Sequence, residues 1–111
     1  MIEERLPKEP LEFIKRCVVE GKILWTYHVN MRMKDRFVSR EMLIDSIGSY
    51  EIIEAYPQDK YYPSYLVLGR HVKGVFHVLF GVDVYNINVR VITAYRPGVD
   101  QWSDDFKRRK G

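Results

Sequence analysis

The chain of 111 residues has one cysteine, Cys17, and three histidines, His28, His71 and His77. A lone cysteine excludes a disulfide framework within the chain and any cysteine-based zinc site, and it fits a reducing cytoplasm. The histidines show no His-Glu-x-x-His and no paired ligand spacing, so no metal and no cofactor is expected. There is no glycine-rich phosphate loop, no dinucleotide fingerprint and no Gly-x-Ser-x-Gly elbow, which leaves nucleotide hydrolysis and serine hydrolysis without support. Cys17 falls on the apolar side of a helical pattern, where it packs rather than attacks. No apolar run approaches the ~20 residues that cross a bilayer. The amino terminus, with Glu3, Glu4, Pro7 and Pro10, lacks the apolar stretch of a signal peptide. The expectation is a cytoplasmic protein with no membrane partner.

What is present is a balanced globular composition, 46% hydrophobic and 30% charged, long enough for one core and one domain over residues 1–111. A net charge of +3 permits nucleic-acid contact without demanding it. Lys107, Arg108, Arg109 and Lys110 form a terminal basic run, read either as a solvated tail or as an arm on nucleic acid. The eight tyrosines suit strands, interfaces or stacking on bases, and do not choose among them.

Pro10 opens a helix over residues 9–20, with Leu11, Ile14, Cys17 and Val18 on one side and Gly21 at its end. Residues 23–26 read as a short strand or an extended linker. Thr26 caps a second helix, whose seam is Val29, Met33 and Phe37. Ser39 caps a third, with Val38 and Leu43 as a hydrophobic staple and Gly48 as a left-handed stop. The period then changes to two. Strands are predicted over 50–56, 65–70, 75–82 and 89–95, followed by a short terminal helix over 101–110 held by Trp102 and Phe106. Helices first and strands second define an α+β fold, with the amino-terminal helices packed on a four-stranded, mostly antiparallel sheet.

The chemistry concentrates in residues 28–36. His28, Arg32 and Arg36 fall four apart and share one helical face. An imidazole in the first turn of a helix stays neutral and serves as a general base; the alternative is a histidine that bonds a neighbouring strand and orients the helix. Two guanidiniums beside it suit a phosphate, or else pair with Asp35, Glu54 or Asp59 as a solvated face. His77, inside an apolar strand, reads as a satisfied core residue, and His71 as an exposed turn residue. Tyr95 and Arg96 end the last strand, where they either stack a base and hold its phosphate or form an aromatic plug with a surface arginine. Trp102 reads as a core anchor for the terminal helix.

The strings YHVNMRMKDRFVSREMLIDSI, EIIEAYPQDKYYPSYLVLGR, FHVLFGVD and VITAYRPGVDQW resemble a small prokaryotic family of unassigned function, described in places as toxins. In layout it is similar to BrnT and, more distantly, to the RelE/ParE toxins. The resemblance covers roughly residues 23–109, and its most specific parts are residues 56–70 and 95–102. It implies a toxin of a toxin–antitoxin pair that cleaves RNA without a metal, through attack of the ribose 2′-hydroxyl on its neighbouring phosphate. It also implies an antitoxin partner, in some cases a small zinc-finger protein. It transfers no residue roles. The roles follow from chemistry instead: His28 as base, Arg32 and Arg36 on phosphate, Tyr95 and Arg96 near the leaving group, with Tyr62, Lys107, Arg108 and Arg109 binding substrate. Two other expectations stand beside this one. The first is a non-catalytic module that binds RNA or a protein through the same face and the tyrosine-rich loop. The second is an assembly module whose strand edge pairs with a partner or a second copy as a homodimer.

Overall fold

Helix α1 (Pro10–Val19) begins on its proline, whose fixed φ suits a first turn and whose missing N–H would have had no partner there. Ile14, Cys17 and Val18 form its buried side. Gly21, at a φ of 74°, turns the chain out of the helix, and strand β1 (Ile23–Trp25) follows. These features belong to a computed structural model that describes residues 5–110; Glu3 and Glu4 lie outside them.

The Thr26 side chain accepts the Val29 N–H and starts α2 (Tyr27–Asp35). Ser39 does the same for Met42 at the start of α3 (Arg40–Asp45), with Val38 and Leu43 both buried at the staple positions. The seam of α2 departs from the sequence pattern. Val29 and Met33 are buried, but Phe37 turns out to solvent with 78% of its surface exposed. The helix ends at Arg36, and Phe37 takes a left-handed φ of 58°. The Val38 N–H then reaches the Met33 carbonyl at 3.1 Å and the Phe37 N–H the Lys34 carbonyl at 3.4 Å. These two bonds make a Schellman closure that delivers Val38, not Phe37, to the core. Gly48 is likewise no left-handed stop; α3 ends at Asp45 and Gly48 sits in a 3₁₀ turn, Ile47–Ser49.

Strands β2 (Glu51–Tyr56), β3 (Ser64–His71), β4 (Gly74–Asp83) and β5 (Asn88–Tyr95) form the antiparallel meander that period two predicts. The expected count of four strands is corrected to five in a mixed sheet of order β1-β5-β4-β3-β2, with β1 parallel to β5 and Ile23 opposite Val89. Three residues carry no period, and β1 is defined only by pairing with a strand more than sixty positions away. One face of the sheet, with Tyr65, Val67, Phe76, Val78, Phe80, Val82 and Val91, joins Ile14, Val29, Met33 and Leu43 of the helices in a single core. The α+β class therefore holds, with a five-stranded mixed sheet.

The expected terminal helix over 101–110 is absent. Trp102 pairs with Arg109 as an antiparallel bridge, with the Ser103 N–H on the Arg108 carbonyl at 2.8 Å and the Lys110 N–H on the Gln101 carbonyl at 2.9 Å. The Ser103 hydroxyl donates to Asp105 at 2.6 Å and accepts the Arg108 N–H at 3.2 Å, while Asp105 also accepts the Lys107 N–H. Short polar side chains thus take the backbone bonds a helix would need, and Phe106 at a φ of 61° ends any helical run. The four-residue spacing of Trp102 and Phe106 mimics a helix because each is tied separately to the sheet. No helix among the described residues is long and apolar enough to cross a membrane.

Candidate functional site

The clasp formed by residues 102–109 lies over the sheet face that the helices leave uncovered, and an open cleft of about 680 Å³ runs beside it. Each basic side chain of the cleft arrives from a different element. Arg36 comes from the cap of α2, where its Nη1 donates to the Thr93 hydroxyl at 3.1 Å and to the Ala94 carbonyl at 3.5 Å. Arg96 follows β5; its Nε donates to the Phe37 carbonyl at 3.0 Å and its Nη1 to the Lys73 carbonyl at 2.9 Å. This one guanidinium ties the end of α2 to the β3–β4 turn. Arg109 comes from the clasp and lies over the Trp102 ring, 4.7 Å from its centroid.

An adjoining recess of about 290 Å³ shares Thr93, Tyr95 and Arg109 with the cleft and adds Glu54 and Tyr56 from β2. Arg109 grips Glu54 with both ends of its fork, Nε to Oε2 at 2.9 Å and Nη2 to Oε1 at 3.1 Å. The Tyr56 hydroxyl donates to the same carboxylate. The Arg109 hydrogen bonds hold the Glu54 carboxyl below the usual carboxylate range, against burial, which works the other way. Glu54 is therefore ionised at neutral pH.

His77 positions this group from beneath. It is fully buried on β4, with Nε2 2.8 Å from the Phe106 carbonyl and Nδ1 3.2 Å from the Tyr95 hydroxyl. Nε2–H must donate to the carbonyl, so Nδ1 accepts from Tyr95. Burial lowers the imidazole pKa and keeps it neutral. Burial also pushes the Tyr95 phenol up.

The structure divides the residues singled out by the sequence. Arg36, Tyr95, Arg96 and Arg109 line one cleft. His28 and Arg32 are exposed on α2 and outside that lining; eight residues at 1.5 Å per residue put His28 ~12 Å along the axis from Arg36. Tyr62 lies at a separate recess, under the Arg90 guanidinium. Lys107 is spent on Glu51, 3.0 Å away, and the Arg108 side chain is exposed. Two of the three carboxylates named as partners for Arg32 and Arg36 go elsewhere: Glu54 takes Arg109, and Asp59 accepts the Ser64 hydroxyl. Glu54 and Tyr56 carried a signal as residues two apart on one strand face. Nothing local marked Phe37, which enters the cleft only through its left-handed backbone.

A helix-backed mixed sheet, whose other face gathers arginines, tyrosines and one ionised carboxylate around a cleft, defines a small α+β domain with a polar, cation-rich site. The chain belongs to the family described as domain of unknown function DUF4258, whose model matches residues 25–96. The matched span contains Arg36, Glu54, Tyr56, Tyr95 and Arg96 and stops before Trp102 and Arg109. No curated protein matches the chain.

Proposed function

We propose that the protein is an RNA endonuclease of the RelE/BrnT-like kind, the toxin of a toxin–antitoxin pair, working at the cleft between α2, β5 and the carboxy-terminal clasp. The observation that carries this reading is the meeting of Arg36, Arg96 and Arg109 beside the Glu54–Tyr56 pair. A guanidinium has five N–H donors, and the internal bonds of each arginine leave others for phosphate oxygens.

In the reaction the ribose 2′-oxygen attacks the adjacent phosphorus and gives its proton to the Glu54 carboxylate. The arginines stabilise the charge that grows on the phosphoryl oxygens. The bond from phosphorus to the 5′-oxygen breaks beside Tyr95 and Arg96, and that oxygen takes a proton from solvent water in the open cleft, while the proton on Glu54 returns to solvent. The products are a 2′,3′-cyclic phosphate and a 5′-hydroxyl end, and no metal takes part in these steps. His28 and Arg32, further along α2, hold neighbouring phosphates of the same strand. Removing one such charge-stabilising donor costs ~10²–10³-fold in rate. Arg36→Ala and Arg109→Ala are each expected to slow cleavage of an unstructured RNA by about that factor with an unchanged circular dichroism spectrum. Variants that cut as fast as the parent would remove the reading. An antitoxin, in the resembled family a small zinc-finger protein in places, would silence the chain by covering the cleft.

One observation favours a second reading, an RNA- or protein-binding module without catalysis. The two-point grip of Arg109 that lowers the Glu54 pKa also weakens that carboxylate as a base. Retention of RNA with no cyclic-phosphate product would select this reading.

A further inference from the structure

Beyond the cleft, on the same face of the sheet, lies a recess of about 540 Å³ lined by Asp59, Lys60, Tyr61, Tyr62, Arg90 and Ile92. Its continuity with the cleft follows from register. Leu79 and Gly81 share one face of β4. Their partners across the ladder are Thr93, in the cleft, and Arg90, in the recess. Asp59 lines both this recess and the Glu54–Tyr56 recess that adjoins the cleft.

We propose that this recess is a base-stacking subsite for single-stranded RNA, continuing the path of the strand that enters the cleft. The inference rests on the RNA reading above and extends it to the form of the nucleic acid and a second place that holds it. Gly81 provides the floor: a Cβ there would fall 3.1 Å from Arg90 Cγ and 3.2 Å from Ile92 Cδ1, so a side chain at this position would push against both. The Arg90 guanidinium is stacked on Tyr62, 4.4 Å from the ring centroid, and its Nε is buried without a hydrogen-bond partner. Tyr61 beside it is 77% exposed, with the Lys60 ammonium 5.4 Å from its ring centroid.

An exposed aromatic ring next to a stacked guanidinium and an ammonium offers a flat surface for a base and positive charge for its phosphate. A duplex keeps its bases stacked on one another, so such a surface takes unpaired strands. The acidic member of the lining, Asp59, has its carboxylate on the Ser64 hydroxyl.

The test uses the full chain and a fluorescein-labelled, unstructured 2′-O-methyl RNA, which binds but has no 2′-hydroxyl to attack. Fluorescence anisotropy then reads affinity alone. Tyr61→Leu and Arg90→Gln are each expected to weaken binding roughly tenfold, as loss of one stacking surface does, and Tyr61→Phe to restore it. Annealing the oligomer to its complement should abolish the difference between Tyr61→Leu and the parent. Tyr61 is on the surface, so Tyr61→Leu folds whether or not Arg90→Gln does. Equal affinity of Tyr61→Leu and parent for the single strand overturns the subsite, as does a parent that binds no RNA. A parent that cleaves natural RNA would keep the cleft reading in either case. Loss of binding in Tyr61→Leu, with a parent that never cleaves, upholds the subsite and sinks the nuclease.

Discussion

Phe37 holds an aromatic ring in water on a left-handed backbone, and neither feature serves the core. A non-glycine residue in that conformation costs roughly 1 kcal/mol, and the Schellman bonds and the Arg96 donation to its carbonyl keep it there. Glycine relieves the strain and keeps those backbone bonds. Phe37→Gly is therefore expected to raise the unfolding free energy by about 1 kcal/mol in urea melts. The same variant should bind single-stranded RNA more weakly, because Phe37 lines the cleft together with Arg36 and Arg96 and is largely exposed. Greater stability with unaltered RNA affinity would reduce Phe37 to an accident of the turn. At this scale the sequence marked five arginines, of which Arg36, Arg96 and Arg109 line the cleft and Arg32 and Arg108 do not. Arg36, Arg96 and Arg109 stand out as cations at element ends, where side chains reach open ground. It did not mark Glu54 as the carboxylate between them, because its partner lies 55 positions away and only the fold brings the two together.

Strand β4 carries the polar pin on which the carboxy-terminal clasp depends. The His77 imidazole bonds the Phe106 carbonyl, and Trp102 packs edge-on against it with centroids 4.4 Å apart. Its pKa in the folded state is lowered by burial, so the unfolded chain binds the proton more readily. Stability is then complete above the ordinary histidine pKa of about 6.5 and falls as pH drops below it toward the depressed folded value. Thermal melts should show a lower midpoint at pH 5 than at pH 7, and His77→Gln should flatten that dependence. Hydrogen exchange at pH 5 should open residues 102–109 before the meander. An unchanged slope in His77→Gln would assign the acid sensitivity elsewhere. Trp102→Ala is expected to cost about 3–5 kcal/mol, since the indole is 2% exposed. Elements with their own local signals were legible. Thr26 and Ser39 cap where capping chemistry places them, and the meander follows its period of two. The clasp was illegible because serine and aspartate side chains redirect its backbone bonds, an effect that the spacing of two aromatics conceals.

The whole molecule is a sheet with two unlike faces. One is sealed by helices through a continuous apolar core, and the other is left polar along a line from Arg36 to Tyr61. That division was readable in outline from helices first and strands second. The parallel β1 was not, because a three-residue strand on the sheet edge is defined by its neighbour and not by its own sequence. The polar line makes a prediction that belongs to no single residue. With a net charge of only +3, affinity for nucleic acid must come from where the cations sit and not from how many there are. A strand lying from cleft to recess meets Arg36, Arg96, Arg109, Arg90 and Lys60. At a slope of about −0.7 per phosphate for single strands, log affinity against log salt should fall by roughly 3 to 3.5. Arg36→Ala and Arg90→Gln should each flatten that slope by about 0.7, and together by twice that, since they act at opposite ends of the path. Substituting Arg108, which is exposed and outside both hollows, should lower affinity little and leave the slope near its parent value. If Arg108→Ala flattens the slope as much as Arg36→Ala does, the nucleic acid is held by diffuse surface charge, and the polar face is not its path.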